Sequence, residues 1–165
     1  MVLSSVIHEV YSYAQSEDDI TTFWQRVCQS GFDFVCVRDM MPADSINRPT
    51  DENLLDTFFE HVEENKPELI KYIEEFERRW GHITNNKNFV HYLLKYRWLV
   101  NWKREVNENY FPITDSEFFR NMRGFTVIYR NAFRVPFLED CWKKDFGISI
   151  TDNTHIKAIF KSKNI

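Results

Sequence analysis

Apolar residues recur every three or four positions along most of this chain, which is the spacing of one face of an α-helix. After a short apolar repeat near the N-terminus, residues that begin or end helices divide the pattern. Ser16 and Thr50 can cap a helix, Pro67 can begin one, and Gly31 and Gly81 can end one. The sequence predicts about six helices, which cover approximately residues 17–30, 51–64, 67–80, 88–107, 115–134 and 136–146.

Strand signals are fewer than helix signals. Residues 32–38 form the best strand candidate, because they are a short run of aromatic and β-branched side chains. The pattern therefore predicts a mainly α fold, with a single compact domain over residues 1–165 and a small β element. An α+β domain is the alternative if residues 125–130 and 148–160 are strands.

The helix predicted over residues 115–134 depends on one apolar stripe. Thr114 and Glu117 can form a capping box at its start. Gly124 and the β-prone run at 126–128 lie inside it, but the stripe keeps helical spacing across both. The stripe consists of Phe118, Met122, Phe125, Tyr129 and Phe133.

Composition narrows the class of protein. With 165 residues, 43% of them hydrophobic, the chain has material for one core. Its four glycines stand apart, which excludes the glycine-rich phosphate loops of Rossmann and P-loop folds. The longest apolar run, residues 34–37, is far shorter than the roughly 20 residues of a membrane-spanning helix. The opening residues lack the pattern of a secretory signal, so we expect a cytoplasmic protein without a membrane partner.

Charge is divided unevenly along the chain. Residues 1–80 carry 7 Lys and Arg against 17 Asp and Glu, a net charge of −10. Residues 81–165 carry 14 against 8, a net charge of +6. An uneven distribution of charge bears on binding partners more than on folding. The helix faces that carry the charge are therefore candidate binding surfaces.

The helix over residues 51–64 has an acidic face, which consists of Glu52, Asp56, Glu60, Glu63 and Glu64. At about 100° per residue no basic side chain shares the line of these carboxylates, and the apolar side predicted opposite them consists of Leu54, Leu55, Phe58, Phe59 and Val62. One interpretation is a solvated face that Lys66 partly neutralises. The other is a docking surface for a basic protein. In the next helix, by contrast, Glu74 and Arg78 have the four-residue spacing of a compensating ion pair.

A second charged face is predicted on the helix over 115–134. Its four arginines fall within about 80° of one another, and they are Arg120, Arg123, Arg130 and Arg134. Guanidinium groups suit phosphates and carboxylates, so the stripe indicates a nucleic-acid backbone or an acidic protein as its ligand. The alternative is an ordinary solvated face, or contacts with neighbouring acidic helices.

Residues with catalytic chemistry show no recognisable arrangement. The five histidines are scattered, the three cysteines lack CxxC spacing, and no metal motif occurs, so we expect no metal and no cofactor. On helix 88–107, Trp98 and Trp102 would make an interface patch only if that side were exposed. The sequence thus favours a non-enzymatic protein-binding domain, of the inhibitor or immunity type, whose acidic face docks a basic partner. A nucleic-acid-binding protein that uses the arginines is the alternative, and an enzyme whose catalytic residues are dispersed along the chain is a third interpretation. The opposite charges on one molecule would also permit association between copies of the chain.

Overall fold

The computed structural model describes residues 1–163 of this protein as an α+β fold with eight α-helices and a four-stranded sheet. The elements in chain order are β1 (Val2–Ser4), α1 (Ile7–Tyr13), α2 (Glu17–Cys28), β2 (Phe34–Met40), α3 (Glu52–Asn65), α4 (Ile70–Trp80), α5 (Asn86–Lys95), α6 (Trp102–Glu105), α7 (Asp115–Asn121), β3 (Phe125–Phe133), α8 (Pro136–Phe146) and β4 (His155–Ser162). Short 3-10 turns cover Asp44–Ile46, Pro67–Leu69 and Leu99–Asn101. The predominance of helix is confirmed, and the strand predicted at residues 32–38 corresponds to β2, but the four-stranded sheet is more than the small β element that the sequence predicted. The α+β alternative describes the fold.

Internal contacts divide the chain into two compact units. The sheet unit contains residues 1–44 and 108–133 together with the described residues from Asn153 onward. The helical unit contains residues 45–107 and 134–152. The single domain expected over 1–165, of which residues 164 and 165 lie outside the described part, stays a prediction.

The sheet has the strand order β1-β2-β4-β3, which leaves β3 at an edge. Strands β1 and β2 are parallel and are connected through α1 and α2, whereas β4 runs antiparallel to both β2 and β3. Side chains alternate along β2, with Val35, Val37 and Asp39 buried on one side. That side faces a core that also holds Trp24 of α2 and Phe118 of α7.

The helix predicted over residues 115–134 is wrong beyond Asn121. Helix α7 ends there, and β3 begins at Phe125 and pairs with β4 on both sides of a register shift at Ile128. The β-branched run at 126–128 follows its own propensity, and the pairing with β4 provides backbone partners that a helix would otherwise supply. Phe118 and Met122 do follow the spacing of a helix. The residues from Phe125 to Phe133 continue that spacing in the sequence only by chance, because they lie on a strand. The capping box predicted at the start of α7 is confirmed, since Glu117 accepts a hydrogen bond from the Thr114 backbone N–H at 2.8 Å.

The long helix predicted over 88–107 is also wrong, because α5 ends at Lys95. The Lys95 side chain is fully buried and its ammonium donates to the backbone carbonyl of Glu105, an arrangement that needs the chain to fold back on itself. The two tryptophans separate accordingly. Trp102 is buried and donates to the Glu75 carboxylate at 2.7 Å, whereas Trp98 is half exposed.

Local end signals place the other helices well. Helices α3 and α8 lie within about two residues of their predicted bounds, and Asp51 caps α3 by accepting from the Leu54 N–H at 3.0 Å. Helix α2 begins after the predicted Ser16 cap but ends at Cys28, so that Gly31 lies in the following turn. An aromatic cluster around Phe58 fills the core of the helical unit; its members include Phe89, Tyr92 and Phe146. Among residues 1–163, every helix falls short of the length or the apolar character that crossing a bilayer requires.

Candidate functional site

The acidic face is exposed because α3 buries its opposite side. Phe58 and Val62 are fully buried in the helical unit, which fixes the rotation of the helix about its axis. All five carboxylates of the acidic face consequently point to solvent, and each of their residues is exposed. This is the arrangement that the sequence predicted.

Neutralising partners are missing from the acidic face. In the part of the chain that the structure describes, none of its five carboxylates forms an ion pair or a side-chain hydrogen bond. Lys66, the expected neutralising residue, instead places its ammonium 3.6 Å from the carboxylate of Asp145 on α8. The negative charge of α3 therefore remains available to a ligand.

The position of the charge along α3 is unfavourable for the helix itself. Glu63 and Glu64 lie in its last turn, where the helix dipole disfavours negative charge by about 0.3 to 1 kcal/mol per residue. Glu60 and Glu64 add repulsion because they are four residues apart. Charge in these positions costs stability without any compensating contact in the described chain.

An aromatic side chain borders the acidic face. Phe59 lies within about 40° of Glu52 and Glu63 on the helix, and 36% of it is exposed. Its ring packs edge-on against Phe58, with 5.4 Å between the ring centroids, so the core holds it in place. A fixed, half-exposed ring beside charge is typical of the anchors at protein interfaces.

The structure brings three of the four predicted arginines together, although they do not share a helix. Arg120 on α7, Arg123 after it and Arg130 on β3 line one groove of about 450 Å³ in the sheet unit. Arg134 belongs to the helical unit, where its Nε lies 2.5 Å from the Glu139 carboxylate and its Nη1 donates to the Thr151 carbonyl at 2.9 Å. The four-member stripe is therefore reduced to a cluster of three.

Two groups in this groove are already engaged. Arg130 binds the carboxylate of Asp115 and lies over the ring of Phe119, 4.7 Å from its centroid. Arg123 donates through Nε to the carbonyl of Arg120 at 3.0 Å, and its terminal nitrogens form no hydrogen bond or ion pair among residues 1–163. The groove thus offers Arg120 and Arg123 as its main cations.

A surface that the sequence analysis missed lies on the side of the sheet away from the core. Residues on this side alternate with the buried ones along β2, and register partners on neighbouring strands share the side. We call it the open sheet face, and its principal residues are Phe34, Cys36, Arg38, Tyr129, Asn131, Lys157, Ile159 and Lys161. The strand predicted over residues 32–38 and the period-2 alternation from 155 to 161 were its signals in the sequence, and the helical assignment of Tyr129 concealed the rest.

Buried titratable groups hold the sheet unit together. Nδ1 of His8 on α1 lies 2.6 Å from the carboxylate of Asp39 on β2. The same carboxylate accepts from the backbone N–H groups of Val6 and Ile7 at 3.0 and 2.7 Å, so it caps α1 from a neighbouring strand. These contacts satisfy the hydrogen-bonding capacity of the Asp39 carboxylate within the fold. The His8–Asp39 pair therefore has a structural role.

Metal-ligating side chains and thiols are the other groups on this chain that could carry chemistry. No group of three or more His, Cys, Asp or Glu side chains suited to a metal ion occurs among residues 1–163. The three cysteines are free thiols, with Cys141 buried and Cys28 and Cys36 partly buried.

No family model matches this chain, and comparisons with curated proteins and with solved structures gave no match. The features of the two units that bear on function are their charged and aromatic surfaces.

Proposed function

We propose that this protein is a non-enzymatic binding protein whose acidic face docks a basic protein partner, as an inhibitor or immunity-type protein would. One observation carries the proposal: the five carboxylates of the acidic face are exposed and have no ion-pair partner among residues 1–163. A basic protein would supply the missing counter-charges.

Electrostatic attraction would increase the rate at which such a partner associates with the acidic face. A row of like charges raises the rate at which an oppositely charged protein arrives, and this steering weakens as salt is added. Contact with Phe59 would then add apolar burial beside the charged rim, which is how interface energy is usually distributed. The proposed partner is therefore a protein whose binding surface is cationic and has an apolar recess for Phe59.

Affinity capture from the native cell tests this function. The tagged protein is compared with a variant in which Glu52, Glu60 and Glu63 become Gln and Asp56 becomes Asn. We expect the wild type to recover a basic protein that the variant does not, and the association rate with that protein to fall and lose its salt dependence in the variant.

A charge-matched control makes this test specific. Four exposed carboxylates away from the acidic face, those of Glu17, Asp18, Glu68 and Glu74, are neutralised in the same way, which gives the same net charge. Recovery of the same basic protein by the control, but not by the α3 variant, supports the proposal. Equal recovery by wild type and α3 variant would remove it.

A second candidate function is binding of a phosphate backbone in the groove lined by Arg120, Arg123 and Arg130. The convergence of three guanidinium groups from α7, β3 and the turn between them favours it. We expect retention on a phosphate-rich matrix at low salt that decreases when Arg120 and Arg123 are changed to Gln. Replacement of Arg78 and Arg79, an exposed pair on α4, provides the control with equal charge change.

A further inference from the structure

The open sheet face carries large aromatic side chains that the core does not cover. Phe34 on β2 is 46% exposed and Tyr129 on β3 is 48% exposed. Phe34 registers with Lys161, and Tyr129 registers with Ile159 two residues along the same central strand. Strand spacing and rise place the Cα atoms of the two residues about 12 Å apart on one side of the sheet, with Lys161 on the strand between them.

The charged side chains on the open sheet face are all positive. Arg38, Lys157 and Lys161 are its charged residues, and no carboxylate occupies a position on this side of β1, β2, β3 or β4. Arg38 and Lys157 are direct register partners, and like charges opposite each other destabilise a sheet. None of the three forms an ion pair within residues 1–163.

From these observations we propose that the open sheet face binds single-stranded nucleic acid. Bases stack on Phe34 and Tyr129, while Arg38, Lys157 and Lys161 contact the phosphates. Unpaired bases expose the faces that aromatic rings need, and cationic surfaces with interleaved aromatics are the usual platform for single strands. A duplex keeps its base faces stacked, so the same surface offers it only the three charges.

An acidic peptide fits this surface less well than a nucleic acid does. The three cations would attract either ligand, but the half-exposed rings lie among the cations and offer flat apolar faces of the size of a base. At one end of this face the Lys157 ammonium lies 4.9 Å from the centroid of the Phe133 ring, a cation–π contact that positions this cation. The proposal does not depend on the acidic face, which lies on α3 in the helical unit.

Fluorescence anisotropy with labelled twelve-nucleotide oligo-dT and oligo-U, and with a twelve-base-pair duplex, tests the proposal. We expect the single strands to bind and the duplex to bind at least tenfold more weakly at low salt. The logarithm of the affinity should fall with the logarithm of the salt concentration with a slope of about −2, because each neutralised phosphate contributes about −0.7.

Variants separate stacking from general charge attraction. Tyr129→Ala and Phe34→Ala should each weaken single-strand binding by about tenfold, whereas Tyr129→Phe should retain it. Lys157→Gln should lower the salt slope by about 0.7. Phe137→Ala, which removes an aromatic ring that is 59% exposed on α8, is the matched control and should have no effect.

Three results would overturn the proposal: no binding of either oligonucleotide at low salt, equal binding of the duplex, or binding that Tyr129→Ala leaves unchanged. If the Arg120→Gln, Arg123→Gln variant loses binding while the sheet variants keep it, the ligand lies in the arginine groove instead. Far-ultraviolet circular dichroism of each variant distinguishes a loss of binding from a loss of fold. None of these outcomes bears on the acidic face, so the two proposals fail separately.

Discussion

At the scale of single residues, His155 is a buried imidazole at the start of β4, only 8% exposed. Burial is the main cause that lowers its pKa to about 4; the nearby charges of Arg38 and His8 act in the same direction, while Asp39 opposes the shift. The ring is therefore neutral in the folded protein at pH values where an unfolded histidine, with a pKa near 6.5, already binds a proton.

The pKa of His155 predicts how stability depends on pH. Since only the unfolded state binds this proton between pH 6.5 and 4, the free energy of unfolding should fall as pH falls through that range, by up to about 3 kcal/mol. Urea unfolding at a series of pH values measures the slope, and His155→Gln should flatten it. His82→Gln, at a side chain that is 81% exposed, is the control; an equal change in both variants would contradict the assignment.

Gly147 shows a residue-scale constraint of a different kind. It ends α8 in the left-handed conformation, with φ 68°, and a Cβ added there would lie 2.9 Å from Cε1 of His61. Gly147→Ala should destabilise the protein by about 1 to 3 kcal/mol, through backbone strain and displacement of the His61 ring.

A matched glycine separates these two causes. Gly31 has φ 70° but no atom within 4 Å of an added Cβ. Gly31→Ala should therefore lower the free energy of unfolding only through backbone strain, by about 1 kcal/mol. Urea unfolding of both variants gives the difference. Equal destabilisation would mean that the His61 contact contributes nothing.

At the scale of elements, most of α3 was predictable and β3 was not. The exceptions in α3 are its cap, which is Asp51 and not the predicted Thr50, and Phe59, which borders the acidic face although it was predicted on the apolar side. The cap at Asp51, the buried side and the acidic face of α3 all lie within fourteen consecutive residues, so local pattern determines them. The state of residues 125–133 depends on pairing with β4, which lies some 30 residues further along the chain, and their apolar spacing fitted a helix equally well. The strand position of Arg130 and the open sheet face were missed for the same reason, because both depend on strand pairing and register.

The acidic face predicts opposite effects at the two ends of α3. Neutralising Glu63 and Glu64 in the last turn should raise the free energy of unfolding by about 0.3 to 1 kcal/mol per residue, because the helix dipole disfavours negative charge there. Glu52→Gln in the first turn should lower it by a similar amount. Thermal unfolding at low salt measures both changes. A loss of stability on neutralising Glu63 or Glu64 would show that the carboxylate has a partner in the fold, which would undermine the docking proposal.

At the scale of the whole molecule, folding redistributes the charge that the sequence divides into halves. The sheet unit contains 8 basic and 10 acidic residues and the helical unit contains 13 and 15, so each has a net charge of −2. The halves of the chain do not correspond to the units, since both units combine segments from each half. What remains of the asymmetry is local: carboxylates on α3, and cations on the open sheet face and in the arginine groove.

These local surfaces predict weak association between copies of the chain at low salt. Each molecule carries both signs on separate surfaces, so the acidic face of one copy can contact the cations of another, although the net charge of −4 opposes their approach. Sedimentation velocity at 10 mM salt, where the Debye length is about 30 Å, should show a sedimentation coefficient that rises with concentration. At 500 mM salt the dependence should vanish, and the variant with Gln or Asn at four α3 positions should lack it at both salt concentrations. Association that persists at 500 mM salt would instead indicate an apolar contact, for which the exposed edge of β3 is the obvious place.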